Sequence, residues 1–115
     1  MSGREGEEVR ALLGLDRMIH EPARLAILTV LAEAGWVEFR FLERVTGLTR
    51  GNLSSHASKL EEAGYIEVEK AFRGKVPVTS YRITEKGRAA LEDYRRRLLA
   101  GLGGGGGDGG AEGGR

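Results

Sequence analysis

The stretch that most limits how this chain can fold is residues 65–83. YIEVEKAF (65–72) and VPVTSYRI (76–83) each alternate apolar and polar residues, and only RGK (73–75) separates them. A period of two on both sides of a short glycine-containing connection predicts two strands joined as a β-hairpin, here with a basic tip. The segment just before it has a different period. In GLTRGNLSSHASKLEEAG (47–64), Leu53, Ala57 and Leu60 recur at i, i+4 and i+7. Thr49 stands where an N-cap belongs and Gly64 where a C-cap belongs, so a helix is predicted between them. FRFLERVTG (39–47) supplies about two further turns ending at Gly47, and WVEF (36–39) is long enough for one strand of a small sheet only.

The rest of the chain is helical in pattern. EEVRALLGLDRMI (7–19) places Val9, Leu12, Leu13, Asp16 and Ile19 at helical spacings, with Gly14 as its weak point. A second helix is predicted from Pro22, a favoured first-turn residue, to Ala34, closed by a left-handed Gly35. Its Leu25, Ile27, Leu28, Val30 and Leu31 cover most of the circumference, so it should be the central, most buried helix. Thr84 caps EKGRAALEDYRRRLLAG (85–101), in which Leu91, Tyr94 and Leu98 continue an a/d spacing. Two helices joined by the short turn TGLT and followed by a hairpin make a winged helix-turn-helix. The expected fold class is therefore mainly α with a small β-hairpin, a winged helix-turn-helix with flanking N- and C-terminal helices. It occupies residues 7–100, between a flexible N-terminus (1–6) and a disordered tail (101–115) that is two-thirds glycine.

Composition excludes several functions. There is no cysteine among the 115 residues, so disulfides, thiolate metal sites and cysteine nucleophiles are ruled out. No apolar run approaches the roughly 20 residues that span a bilayer, and the charged start MSGREGEEVR lacks the order of a signal peptide, so a cytoplasmic location and no membrane partner are expected. The glycines of the tail are not followed by the Lys and Ser/Thr of a phosphate loop. SSHASK lacks the Ser-x-x-Lys spacing of serine acyltransferases, and no acidic partner completes a triad. No enzymatic activity and no cofactor are expected. His20 beside Glu21 is a candidate metal or proton site, but two separated histidines make a poor metal site and no metal is expected; His56, next to the Leu53 and Leu60 stripe, is expected to pack.

The exposed face of the helix after TGLT carries the functional signal. A net charge of +1 means that any attraction to nucleic acid has to come from how charge is distributed. Turning the helix by 100° per residue sets Gly51, Asn52, Ser55, Ser58, Lys59 and Glu62 opposite the apolar stripe, with Arg50 and Ser54 on the flank. Asn52 is the only asparagine of a chain without glutamine. Its amide has the donor and acceptor to pair with adenine N7 and N6 in a major groove, or it satisfies free backbone N–H groups of the first turn. Arg50 opposes the helix dipole, which an anion would relieve. Ser54, Ser55 and Ser58 are small enough for close approach. Arg73 and Lys75, flanking Gly74, could reach backbone phosphates or a minor groove, or simply solubilise the hairpin.

HEPARLAIL together with GLTRGNLSSHASKLEEAGYIEVEKAFRGKVPVTSYRITEKGRAALEDY resembles the winged helix-turn-helix transcriptional regulators of the MarR/ArsR-like group over most of the chain. The resemblance implies a homodimer binding double-stranded DNA. It places the helix matching Arg50 to Ala63 in the major groove and makes Tyr65 to Thr84 the wing. Thr49, Arg50, Asn52, Ser54, Ser55, Ser58, Lys59, Arg73 and Lys75 are the resulting DNA-binding candidates. Val9, Leu12, Leu13, Leu91, Tyr94 and Leu98, on the terminal helices, are the dimer candidates. The chain departs from the group in lacking the cysteines of ArsR-type metal sensors and in offering no recognisable effector pocket. The alternative is a protein-interaction or architectural DNA-binding module, for which Phe41, an apolar residue in the short helix before the turn, is the candidate contact.

Overall fold

The computed structural model describes residues 3–103. In chain order it contains α1 (Gly3–Leu13), α2 (Pro22–Ala32), β1 (Val37–Glu38), α3 (Phe39–Thr46), α4 (Arg50–Glu62), β2 (Ile66–Arg73), β3 (Val76–Ile83) and α5 (Glu85–Gly101). The three strands form an antiparallel sheet in the order β1-β3-β2. The expected hairpin is β2–β3, and WVEF contributes its one strand on the other side of β3, pairing Val37 with Tyr81 and Glu38 with Ser80. This is a winged-helix fold, with α3 and α4 as the helix-turn-helix and β2–β3 as the wing.

The capping residues act largely as their sequence positions predict. Glu21 accepts a 2.8 Å hydrogen bond from the Arg24 N–H, and Pro22 opens α2. Thr49 and Thr84 cap α4 and α5 through the N–H groups of Asn52 and Gly87, at 3.1 and 2.9 Å. Gly47 and Gly64 have φ of +74° and +81°. Around Gly64 the Tyr65 N–H reaches the Leu60 carbonyl and the Gly64 N–H reaches that of Glu61, which is the Schellman closure.

Three expectations need correction. Gly35 is not a left-handed cap, since α2 ends at Ala32 and tightens into i→i+3 bonds from Glu33 to Val30 and from Ala34 to Leu31, ahead of β1. The first helix does not run to Ile19. It stops before Gly14, where Asp16 takes over: its side chain accepts from Met18 N–H, and its carbonyl accepts from Ile19 and His20 N–H. That turn drops Ile19 into the core. The same helix starts at Gly3, so residues 3–6 are helical; at the other end α5 extends to Gly101, and positions 104–115 of the expected tail lie outside the described residues.

Ile19, Ile27, Leu28, Leu31, Leu42, Leu53, Leu60 and Leu91 are fully buried. Each contributes on the order of 1.5–3 kcal/mol relative to exposure, and together they pack α3, α4 and α5 against α2. Among the described residues no polar or charged side chain is buried with them. At the edge of this core the Tyr65 hydroxyl donates to Asp16, tying the turn after α1 to the start of β2. Burial and then the adjacent carboxylate push the Tyr65 pKa up to about 12.

Candidate nucleic-acid interface

Helix α4 divides cleanly. Leu53, Ala57 and Leu60 are buried, while Gly51, Asn52, Ser54, Ser55, Ser58 and Lys59 are exposed. Because Thr49 already satisfies the Asn52 N–H, the cap does not use the Asn52 side chain. Among the described residues its amide has no hydrogen-bond partner and stands free in solvent. Lys59 lies about 13 Å along the axis from Arg50 at 1.5 Å per residue, so the candidates on α4 span the first ten of its 13 residues.

Arg50 and Arg73 are 75% and 70% exposed, and each also contacts a group on α3 or β1. The Arg50 guanidinium lies 3.8 Å from the Glu43 carboxylate and 5.3 Å from the centre of the Phe39 ring. Arg73, at the end of β2, is hydrogen-bonded and ion-paired to Glu38, the N-cap residue of α3. That arginine holds the Glu38 carboxyl below the usual carboxylate range. Two acidic groups therefore each pair with one of two exposed cations bordering a common surface.

The surface is a groove of about 770 Å³ between α4 and the wing. Arg40, Arg50, Gly51 and Ser54 line one side; Lys70, Arg73, Pro77 and Thr79 line the other; Phe39 and Tyr81 lie between them. Arg50, Ser54 and Arg73 are thus brought together, while Ser58 and Lys59 continue the same helix beyond the groove and Lys75 stands at the wing tip. The tip is a two-residue connection, Gly74–Lys75, across the Arg73–Val76 rung. Gly74 has φ of +67° and among the described residues no non-glycine residue has positive φ, which suits a II′ turn.

Sequence reasoning missed Arg40 and Lys70. Lys70 was recoverable, because closing the hairpin at RGK sets it across from Thr79, two residues along from the Val68–Tyr81 pair and on the same side. Arg40 had no such signal, since its place depends on how α3 leaves β1.

The dimer candidates separate. Leu91 and Tyr94 are 1% and 3% exposed and belong to the core of the chain itself, the Tyr94 hydroxyl also meeting His20 Nδ1 at 2.9 Å. They are not available to a partner: the a/d seam of α5 is filled by its own chain. Val9, Leu12 and Leu13 on α1 are exposed, Leu98 is half-buried, and the sequence reading overlooked exposed Leu99 and Leu102. His20 and Glu21 do not form a site together. Glu21 instead faces His56, 3.8 Å away, and the Arg24 guanidinium is 3.2 Å from His56 Nδ1. Phe41 is exposed, beside Trp36, Arg40 and Arg44, in a second depression of about 550 Å³.

A basic groove between a helix-turn-helix and its wing defines a winged-helix protein with a surface for a polyanion. Residues 23–100 match the family model described as winged helix DNA-binding domain, and the chain belongs to that family. It is 37% identical over 84 residues to an uncharacterized protein of Methanocaldococcus jannaschii, covering 72% of this chain and 90% of that one. The structure resembles that of a transcriptional regulator homologue from Pyrococcus horikoshii, with a TM-score of 0.76, 28% identity, and coverage of 85% of this chain and 96% of the other. It also shares its fold with the YusO protein from Bacillus subtilis, at a TM-score of 0.64, 16% identity, and coverage of 87% and 68%. No helix among the described residues is long and apolar enough to cross a membrane.

Proposed function

We propose that this protein is a sequence-specific DNA-binding transcriptional regulator, MarR/ArsR-like, non-catalytic and cytoplasmic, that acts as a homodimer. The observation that carries the proposal is the pairing of a small, polar α4 face, with the Asn52 amide uncommitted, and a basic wing across one groove. In this reading α4 enters the major groove, Asn52 reads a base, Thr49, Arg50, Ser54, Ser55, Ser58 and Lys59 hold backbone or base edges, and Arg73 and Lys75 grip the flanking strand. Arg40 and Lys70 join them on the phosphates. The regulator homologue from Pyrococcus horikoshii supports the transcriptional role.

Dimerisation is assigned to Val9, Leu12, Leu13, Leu98, Leu99 and Leu102 on the α1/α5 face. Two-fold symmetry then sets half-sites about 34 Å apart. The test is selection from random duplexes at two salt concentrations, with the mass of the free protein measured in parallel. A pseudopalindromic site bound by a dimer is the expected result; binding without sequence preference leaves an architectural protein.

A protein-interaction module is the second reading. Trp36, Phe41 and Val45 are all exposed on one side of β1 and α3, and failure to bind any duplex at low salt would favour it.

A further inference from the structure

The wing does not end in charge alone. Phe72 is 74% exposed and Val76 58%, and Pro77 is also exposed. The register explains why. Ile66 pairs with Ile83 and Val68 with Tyr81 over the core; on the same side follow Lys70–Thr79, at the groove, and then Phe72–Pro77. Pro77 still lines the groove, whereas Phe72, across from it on the same side of the hairpin, is not part of that lining, and the described residues offer it no cover. An aromatic ring on a hairpin tip, flanked by Arg73 and Lys75, has an apolar contact to make within a negatively charged setting.

We propose that Phe72, backed by Pro77, is a wedge that enters the minor groove beside the α4 site and partly unstacks one base step, with Arg73 and Lys75 on the adjoining phosphates. The inference rests on the DNA-binding reading above and specifies how the wing acts within it. A duplex strand lying in the groove between α4 and the wing would lead directly to this tip. Apolar side chains inserted from the minor groove kink DNA towards the major groove, which would bring more backbone to the cations of α4. The residues of this pair suit insertion, since proline has no N–H and a fixed ring, and phenylalanine has few torsions to restrain. Nucleic acid is favoured over a protein partner because Lys70 precedes the ring by two residues and Arg73 and Lys75 follow it. Pyrimidine–purine steps unstack most readily, so the bound sites should prefer TA or CA at the wing position although no side chain hydrogen-bonds there.

The experiment uses the full chain and a duplex recovered from random selection, with 2-aminopurine placed in turn at each step flanking the α4 site and dyes at the two ends. Binding should raise 2-aminopurine fluorescence at one step and shorten the end-to-end distance. Phe72→Ala should abolish both changes and weaken binding about tenfold with the salt slope unaltered, whereas Phe72→Leu should keep much of both. Lys75→Ala should retain the fluorescence change and lower the salt slope by about one. If Phe72→Ala binds with the same affinity and the same fluorescence rise, or if it changes the protein's oligomeric state instead, the wedge is wrong. A wild-type protein that binds duplexes with no fluorescence change at any flanking step also overturns the wedge while leaving the regulator reading intact. A wild-type protein that binds no duplex overturns both.

Discussion

Removing two carboxylates should strengthen DNA binding. Glu43 and Glu38 each hold one of the arginines that border the groove, Arg50 and Arg73. If, as proposed, those arginines meet phosphates in the complex, each glutamate competes with DNA for its cation and repels the incoming strand. An exposed pair of this kind corresponds to about a 1.5- to 5-fold effect on an equilibrium, and two independent pairs to about 2- to 25-fold. Glu38→Gln/Glu43→Gln should therefore tighten binding to any duplex within that range at low salt. Each phosphate contact contributes about 0.9 to the slope of log K against log salt; between 50 and 200 mM this is a factor of about 3.5 per contact. The double variant should steepen the slope by up to about two, so its advantage shrinks as salt rises. Fluorescence anisotropy titrations at four salt concentrations measure both quantities. Glu33→Gln/Glu92→Gln, at two exposed carboxylates, one after α2 and one on α5, controls for the change in net charge and should alter affinity by less than about 1.5-fold. Equal gains from the control and the double variant, or no gain from the double variant, would show that Arg50 and Arg73 do not meet the DNA.

Asn52→Ala should cost about 1–3 kcal/mol on the selected site and relax preference at one base pair, read by repeating the selection; equal losses on selected and random DNA would remove its base-reading role. Gly87→Ala should destabilise the fold, because a Cβ at position 87 would sit 2.2 Å from the Tyr65 carbonyl oxygen, which cannot yield easily while it accepts the Thr84 N–H. Overpacking by about 1–3 kcal/mol or more should exceed the roughly 1 kcal/mol that alanine gains in a helix, and urea unfolding decides the sign. Desolvation works to raise the Glu21 pKa, but the Arg24 N–H, His56 and the Arg24 charge together hold it below its ordinary 4.5. Its contribution to stability is present above that pH and is lost as pH falls through the lowered value, so thermal melts below pH 4.5 should show a loss that Glu21→Gln flattens. Leu13→Glu, at a position 79% exposed, should leave the melting temperature nearly unchanged but dissociate the proposed dimer in sedimentation; a dimer that persists would place the interface elsewhere.

How much of this was legible in the sequence depended on whether the deciding interaction was local. Thr49, Thr84, Pro22, Gly47 and Gly64 act within a few residues of themselves, and their spacing predicted correctly the helix ends beside them. Gly35 failed because the helix before it closes with i→i+3 bonds from Glu33 and Ala34, which need no left-handed residue. Asp16 failed for a related reason: at position i+3 from Leu13 it fitted a helical stripe, yet a short carboxylate that can accept the Met18 N–H makes a turn as readily. The harder losses were tertiary. Leu91 and Tyr94 carry an a/d pattern that cannot distinguish a partner's surface from the chain's own core, and here α5 is buried against its own chain. The groove is legible only once β1, α3, α4 and the wing are together, since Glu38 and Arg73 are 35 residues apart. The sequence does contain the mismatch that leads furthest: an alternating strand whose apolar side outlasts the core it covers. Val68 has Tyr81 and the core beneath it, while Phe72 has only Pro77 across the hairpin. Periodicity alone assigns both to the same inward side, and only the length of the wing relative to the body separates a packing residue from one available to a ligand.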